Sequence, residues 1–226
     1  MRLLFLHGAG CTPAVFRKQR AAFPDAIALA LPGHGAPGAA HSIEEFAQFV
    51  RTTIEREGYD DLVLCGSSMG GAIALELAIQ GVPGVRALVT IGSGAKLRVS
   101  PTMIEGLRSG DPATLAALGD AMIATPHPQL REEILAELAS ISREQLLADF
   151  LACDAFDCRE RLGAICLPAL HLVGAKDVMT PPDRSTYLAD RISGAHVEIL
   201  PNLGHLAMLE GPEATNQSLS RFVSSL

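Results

Sequence analysis

Leu62-Val63-Leu64-Cys65-Gly66-Ser67-Ser68-Met69-Gly70 leads straight into Ala72-Ile73-Ala74-Leu75-Glu76-Leu77-Ala78. An apolar run thus meets a helix-like run through Gly66-Ser67-Ser68-Met69-Gly70. Strand, G-x-S-x-G, helix is the setting in which a short, common string becomes a sharp turn that presents a serine hydroxyl. Ser68 is expected on that turn, with its hydroxyl exposed above a sheet. Gly66 and Gly70 are expected to be small because two backbone segments approach there. A serine hydroxyl is a poor nucleophile at neutral pH. It needs a base, an acid that orients the base, and donors for a developing oxyanion.

The 226 residues fit one large domain, and a hydrophobic content of 48% allows a sizeable core. A net charge of −7 and the lack of tryptophan offer nucleic acid neither a basic surface nor a stacking platform. Cys11, Cys65, Cys153, Cys158 and Cys166 are odd in number and match neither a zinc ribbon nor a C-x-x-C redox site. They read as reduced, mostly buried thiols, and the spacing leaves a Cys153–Cys158 bridge open. The run Leu3-Leu4-Phe5-Leu6 is too short for a signal peptide, and no stretch approaches a membrane span. The expectation is a soluble, cytoplasmic protein with no nucleic-acid or membrane partner.

Outward from Ser68 the chain alternates. Residues 3–6, 26–30, 62–65 and 85–91 read as strands, with helices at about 12–22, 42–57 and 72–80 between them. Ser42-Ile43-Glu44-Glu45 is a capping box, and Thr12-Pro13 is a helix start. Residues 169–173 and 196–200 are further strands, each followed by a helix. This is a parallel sheet with helices on both faces. Residues 96–161 break the alternation with helix starts alone: Ser100-Pro101, Asp111-Pro112, His127-Pro128 and the capping box Ser142–Gln145. Leu130, Ile134, Leu135 and Leu138 form one apolar stripe. The organisation expected is a core of residues 1–95 and 162–226, interrupted by a helical cap at 96–161.

His205 is the candidate base, in the loop after the last strand, and Asp177 the candidate acid, in the loop after the strand before it. Ser68, Asp177 and His205 all follow strand ends, which parallel strands place on one side of the sheet. Asp154 and Asp157 are weaker candidates for the acid. His171 reads as a core residue, His34 as a turn residue and His7 as a residue shaping the next loop. That loop, Gly8-Ala9-Gly10, offers the Ala9 N–H as one oxyanion donor, and the Met69 N–H is the other. Gly8, Gly10, Met122, Leu146 and Phe150 are the candidate substrate contacts. Glu132, Glu133 and Glu137, which a peptidase would need as a patterned acidic site, read as a solvated helix face.

Leu6-His7-Gly8-Ala9-Gly10, Leu31-Pro32-Gly33-His34-Gly35, Gly66–Gly71, Val173–Asp177 and Gly204-His205 together resemble the α/β-hydrolase superfamily. More narrowly, they resemble its capped, cofactor-free serine esterase and lactonase branch. The resemblance covers the chain outside the helical insertion. It implies an α/β-hydrolase fold with a mostly parallel sheet of about six strands under a helical cap. The two strands with which the family commonly begins are missing before Met1, leaving residues 26–30 at an exposed edge. Ala30 stands where the family often has aspartate, and Ala9 where it often has a large residue, which leaves room beside the oxyanion hole. The resemblance implies hydrolysis of a small to medium, largely apolar carboxylic ester or lactone through an acyl-enzyme on Ser68, with no metal or organic cofactor. The same triad also serves thioester hydrolysis, acyl transfer, carbon–carbon bond hydrolysis and perhydrolysis. A small-ligand binding protein on this fold is the alternative of another class, and a monomer or homodimer is expected.

Overall fold

In the computed structural model, residues 1–124 and 126–226 are described. Six apolar runs become strands: β1 (Arg2–Leu6), β2 (Ile27–Leu29), β3 (Leu62–Ser67), β4 (Val85–Ile91), β5 (Ala169–Gly174) and β6 (Ala195–Leu200). Among the described residues they form one sheet in the order β2-β1-β3-β4-β5-β6, parallel throughout. Every residue of β3 and β5 is buried, as strands covered on both faces must be. The chain crosses from β1 to β2 at one edge, then steps over β1 to β3, so β2 is left as a short, half-buried edge strand.

The helices are α1 (Arg17–Ala22), α2 (Ile43–Glu57), α3 (Met69–Ile79), α4 (Pro101–Ser109), α5 (Pro112–Ala121), α6 (Pro128–Ser140), α7 (Arg143–Ala155), α8 (Pro182–Ala189), α9 (Ala207–Glu210) and α10 (Pro212–Ser224). Thr12 opens a 3-10 turn at Pro13–Phe16, which runs on as α1. In α2 the Ser42 hydroxyl accepts the Glu45 N–H at 3.2 Å, and Glu45 turns back to the His41 N–H at 2.7 Å. Helix α3 is buried from Met69 to Ala78, which explains its run of small and aliphatic residues. Among the described residues no helix is long and apolar enough to cross a membrane.

The segment between β4 and β5 is helical, α4 to α7, apart from one antiparallel bridge between Lys96 and Asp157 where its two ends meet. Ser100, Asp111, His127 and Ser142 each accept a backbone N–H from the first turn of the helix they open. Two expectations are modified here. Gln145 does not complete a capping box; its side chain turns inward to Asp149 at 2.8 Å. Of the acids of α6, Glu132 and Glu133 are exposed as expected, and Glu137 alone is drawn inward. Glu137 accepts the Thr12 hydroxyl at 2.7 Å and Glu133 pairs with Arg17, so α6 is tied to the chain segment after β1. The five cysteines are all free, which closes the Cys153–Cys158 alternative.

Candidate active site

The turn after β3 is forced by crowding. A Cβ on Gly66 would lie 2.0 Å from the Gly70 carbonyl oxygen, and one on Gly70 would lie 2.0 Å from the Leu6 carbonyl oxygen. Between them Ser68 takes φ 52° and ψ −117°, a conformation that costs a non-glycine residue on the order of 1–3 kcal/mol. The surroundings hold it there. The Ser68 N–H bonds the Ile91 carbonyl at 2.9 Å, and the Ser93 hydroxyl donates to the Ser68 carbonyl at 2.8 Å.

Asp177 and His205 leave the C-terminal ends of β5 and β6, the side of the sheet on which Ser68 leaves β3. A Cβ on Gly174 would strike the Gly204 carbonyl oxygen at 2.2 Å, so glycine lets the His205 loop close over the end of β5. His205 Nδ1 lies 2.9 Å from Asp177 Oδ2, with both side chains buried. Asp177 is held in turn. Its Oδ1 accepts the N–H groups of Met179 and Thr180, each at 2.9 Å, and its Oδ2 accepts the Thr180 hydroxyl at 2.8 Å. Burial pushes the Asp177 carboxyl up, but the His205 charge and the bonds from His205 and Thr180 outweigh it and leave the pKa lowered. The carboxylate therefore stays ionised, with an imidazole aligned on it. Gly92, with φ 55°, makes the room: a Cβ there would meet Asp177 Oδ2 at 2.9 Å and His205 Nδ1 at 3.2 Å. Asp154 and Asp157 lie elsewhere; Asp154 caps the Val99 N–H at 3.0 Å, and Asp157 pairs with Lys96 and Arg159.

The loop after β1 turns back on itself, with the Cys11 N–H bonded to the Gly8 carbonyl at 3.2 Å and Gly10 at φ 65°. A Cβ on Gly8 would lie 3.1 Å from the Ser68 Cβ, so this loop and the start of α3 run side by side. Among the described residues, the Ala9 and Met69 N–H groups make no hydrogen bond within the protein. His7, wholly buried, shapes the loop from below. Burial pushes its pKa down to about 3, the Gly8 carbonyl partly opposing and His34 adding to the shift. The neutral ring accepts the Leu31 N–H at Nε2, 3.3 Å away, which places its proton on Nδ1, 3.0 Å from the Gly8 carbonyl.

Asp149 of α7 was not among the sequence candidates. It is fully buried, and its carboxylate accepts the Gly10 N–H at 3.0 Å and Gln145 Nε2 at 2.8 Å, with His34 Nε2 3.1 Å away. A buried acid of the helical segment thus anchors the loop that carries Ala9. A second such tie is Glu210, whose two carboxylate oxygens accept the N–H groups of Ala124 and Gly204 at 2.8 and 2.9 Å.

A cavity of about 310 Å³ lies between the sheet end and the helical segment. Ser68 and His205 open into it beside Gly8, Ala9, Met122 and Phe150. Gly10 and Leu146, both expected as substrate contacts, do not line it. A Cβ on Gly10 would collide with Leu138 at 2.6 Å and Leu146 at 2.8 Å, so that pair packs the helical segment onto the loop instead. Leu97, Val99, Met103, Met179 and Leu206 give the cavity a mostly apolar wall. Among the described residues no cluster of three or more His, Cys, Asp or Glu side chains is placed to hold a metal.

A sequence profile of the alpha/beta hydrolase family matches residues 3–218. The chain belongs to that family. Among curated relatives of this α/β hydrolase, a pimeloyl-[acyl-carrier protein] methyl ester esterase of Neisseria meningitidis is 30% identical, over 94% of this chain and 73% of the relative. The AB hydrolase superfamily protein YisY of Bacillus subtilis is 27% identical, over 99% of this chain and 91% of the relative. The solved structure of an esterase from Exiguobacterium antarcticum superposes with a TM-score of 0.92, at 21% identity, covering 99% of this chain and 92% of that one. That likeness fixes the fold, and the family makes the protein a hydrolase.

Proposed function

We propose that the protein cleaves a small carboxylic ester or lactone through an acyl-enzyme on Ser68. One observation carries the reading: the Ser68 hydroxyl, on its positive-φ turn, and the Asp177-held imidazole of His205 open into the same apolar cavity. In this reading Ser68 Oγ attacks the carbonyl carbon while His205 Nε2 takes its proton. Asp177 steadies the imidazolium through Nδ1–H. The Ala9 and Met69 N–H groups receive the oxyanion, each worth on the order of 3 kcal/mol of barrier. His205 then protonates the leaving alcohol and activates the water that frees the acid. The ester-cleaving relative named above supports the same reaction class.

Treatment with a fluorophosphonate, followed by peptide mass spectrometry, is expected to find one adduct, on Ser68. Activated esters are expected to turn over in wild type and not in Ser68→Ala. An adduct on another residue, or full turnover by Ser68→Ala, overturns the proposal.

A further inference from the structure

The cavity wall carries three cations, Lys96, Arg98 and Arg184, and no aspartate or glutamate. Lys96 is already neutralised by Asp157 at 2.9 Å. Among the described residues, neither Arg98 nor Arg184 makes an ion pair or a side-chain hydrogen bond. Arg98 comes from the segment after β4 and Arg184 from the first turn of α8. The two segments pack closely, since a Cβ on Gly94 would lie 3.1 Å from the Arg184 Cβ. Two uncommitted guanidinium groups at one cavity are out of keeping with a chain whose net charge is −7. Arg98 is exposed at the rim of the cavity and Arg184 is half-buried, and each presents a planar fork suited to a carboxylate or phosphate.

We infer that this cavity selects esters bearing an anionic group away from the scissile bond, with Arg98 and Arg184 as the anion subsite. The inference rests on the ester-hydrolase reading above and narrows it from apolar esters in general to esters with an anionic end. The apolar wall of Met103, Met122 and Phe150 suits the methylene chain between the ester and that end. A monoester of a dicarboxylic acid carries the charge on the acyl side, and an ester of a phosphorylated alcohol carries it on the leaving group.

The test is a selectivity ratio, read by proton release at constant pH. On the acyl side, kcat/KM for monomethyl adipate is divided by that for its uncharged isostere, methyl 6-methylheptanoate. On the alcohol side, 2-(hexanoyloxy)ethyl phosphate is compared with ethyl hexanoate. Wild type is expected to favour the anion in at least one arm, and that arm identifies which side of the ester is charged. In that arm Arg98→Gln and Arg184→Gln are each expected to lower the ratio roughly tenfold, mainly through KM, as loss of one charge-assisted contact does. Arg98→Glu is expected to reverse the preference and Arg98→Lys to restore part of it. Arg86→Gln, which removes an exposed cation 3.6 Å from Asp61 near the opposite end of β4, is expected to leave the ratio unchanged. Neutral esters that turn over with no anion preference in either arm, or a ratio unmoved in both arginine variants, overturn the inference and leave the hydrolase reading standing. No turnover of any ester, with no phosphonate adduct on Ser68, overturns the hydrolase reading and this inference with it.

Discussion

His205 lies 2.9 Å from Asp177, and His34 lies 3.1 Å from Asp149; both pairs are buried, and each joins an imidazole to a carboxylate also held by other donors. The pairs differ at the second ring nitrogen. His205 lines the cavity beside Ser68. Among the described residues, His34 Nδ1 is enclosed without a partner, and its ring sits 4.9 Å from that of His7 and 6.5 Å from that of Phe46. The first pair can pass a proton to something that arrives, while the second has nowhere to send one. What separates a candidate catalytic pair from a structural one is therefore the far side of the imidazole, not the bond between the partners.

The comparison breaks most sharply at the carboxylates. Asp177→Asn is expected to lower kcat on an activated ester on the order of 10⁴-fold with little change in melting temperature, because the tautomer is lost and the fold is not. In the other pair, replacing the imidazole by His34→Gln is expected to cost less than roughly tenfold. Equal losses in the two would erase the distinction. Asp149→Ala is expected to act on stability instead. It strands the Gly10 N–H and His34 and leaves Gln145 with the Ala40 carbonyl alone, and urea unfolding should show a loss of about 3–5 kcal/mol.

Acid provides a gentler probe. Burial lowers the pKa of His7 to about 3 and that of His171 to about 4. The unfolded chain takes these two protons below about pH 6.5 and the folded protein refuses them. The stabilisation is full above that value and falls as the pH drops toward 4. The slope should approach about 2.7 kcal/mol per pH unit, measurable as the urea midpoint against pH. A flat profile between pH 6.5 and 4.5 would mean that these rings are not held neutral. Within the Asp177–His205 pair a milder effect is expected from Thr180→Val, which removes one donor to Asp177 Oδ2 and should reduce kcat roughly tenfold.

The pattern of what the sequence revealed follows from distance along the chain. That Ser68, Asp177 and His205 share one end of the sheet is legible because each lies in the turn or loop after a strand, and parallel strands put such positions on one side. The helix starts at Ser100, Asp111, His127 and Ser142 were legible because capping is a matter of a few adjacent residues. Asp149 was not, because it serves Gly10, 139 residues away, and nothing in its own helix distinguishes it from a surface acid. Glu137 and Thr12, 125 residues apart, are the same case. Gly10 and Leu146, expected as substrate contacts, do not line the cavity and face each other across the loop instead. A motif locates a loop, and the packing on each face of it is set by partners the motif does not contain. His34 was read as a turn residue, which it is, and its buried acid lay out of sight in the inserted helices.

The φ of 52° at Ser68 has a consequence for which residues the position admits at all. Threonine carries the same hydroxyl, but its β-branched side chain is disfavoured in that backbone region far more strongly than serine's. The most conservative chemical exchange at this position is therefore the one the backbone least tolerates. Geometry has set the β-branched hydroxyl aside here before any reaction is considered.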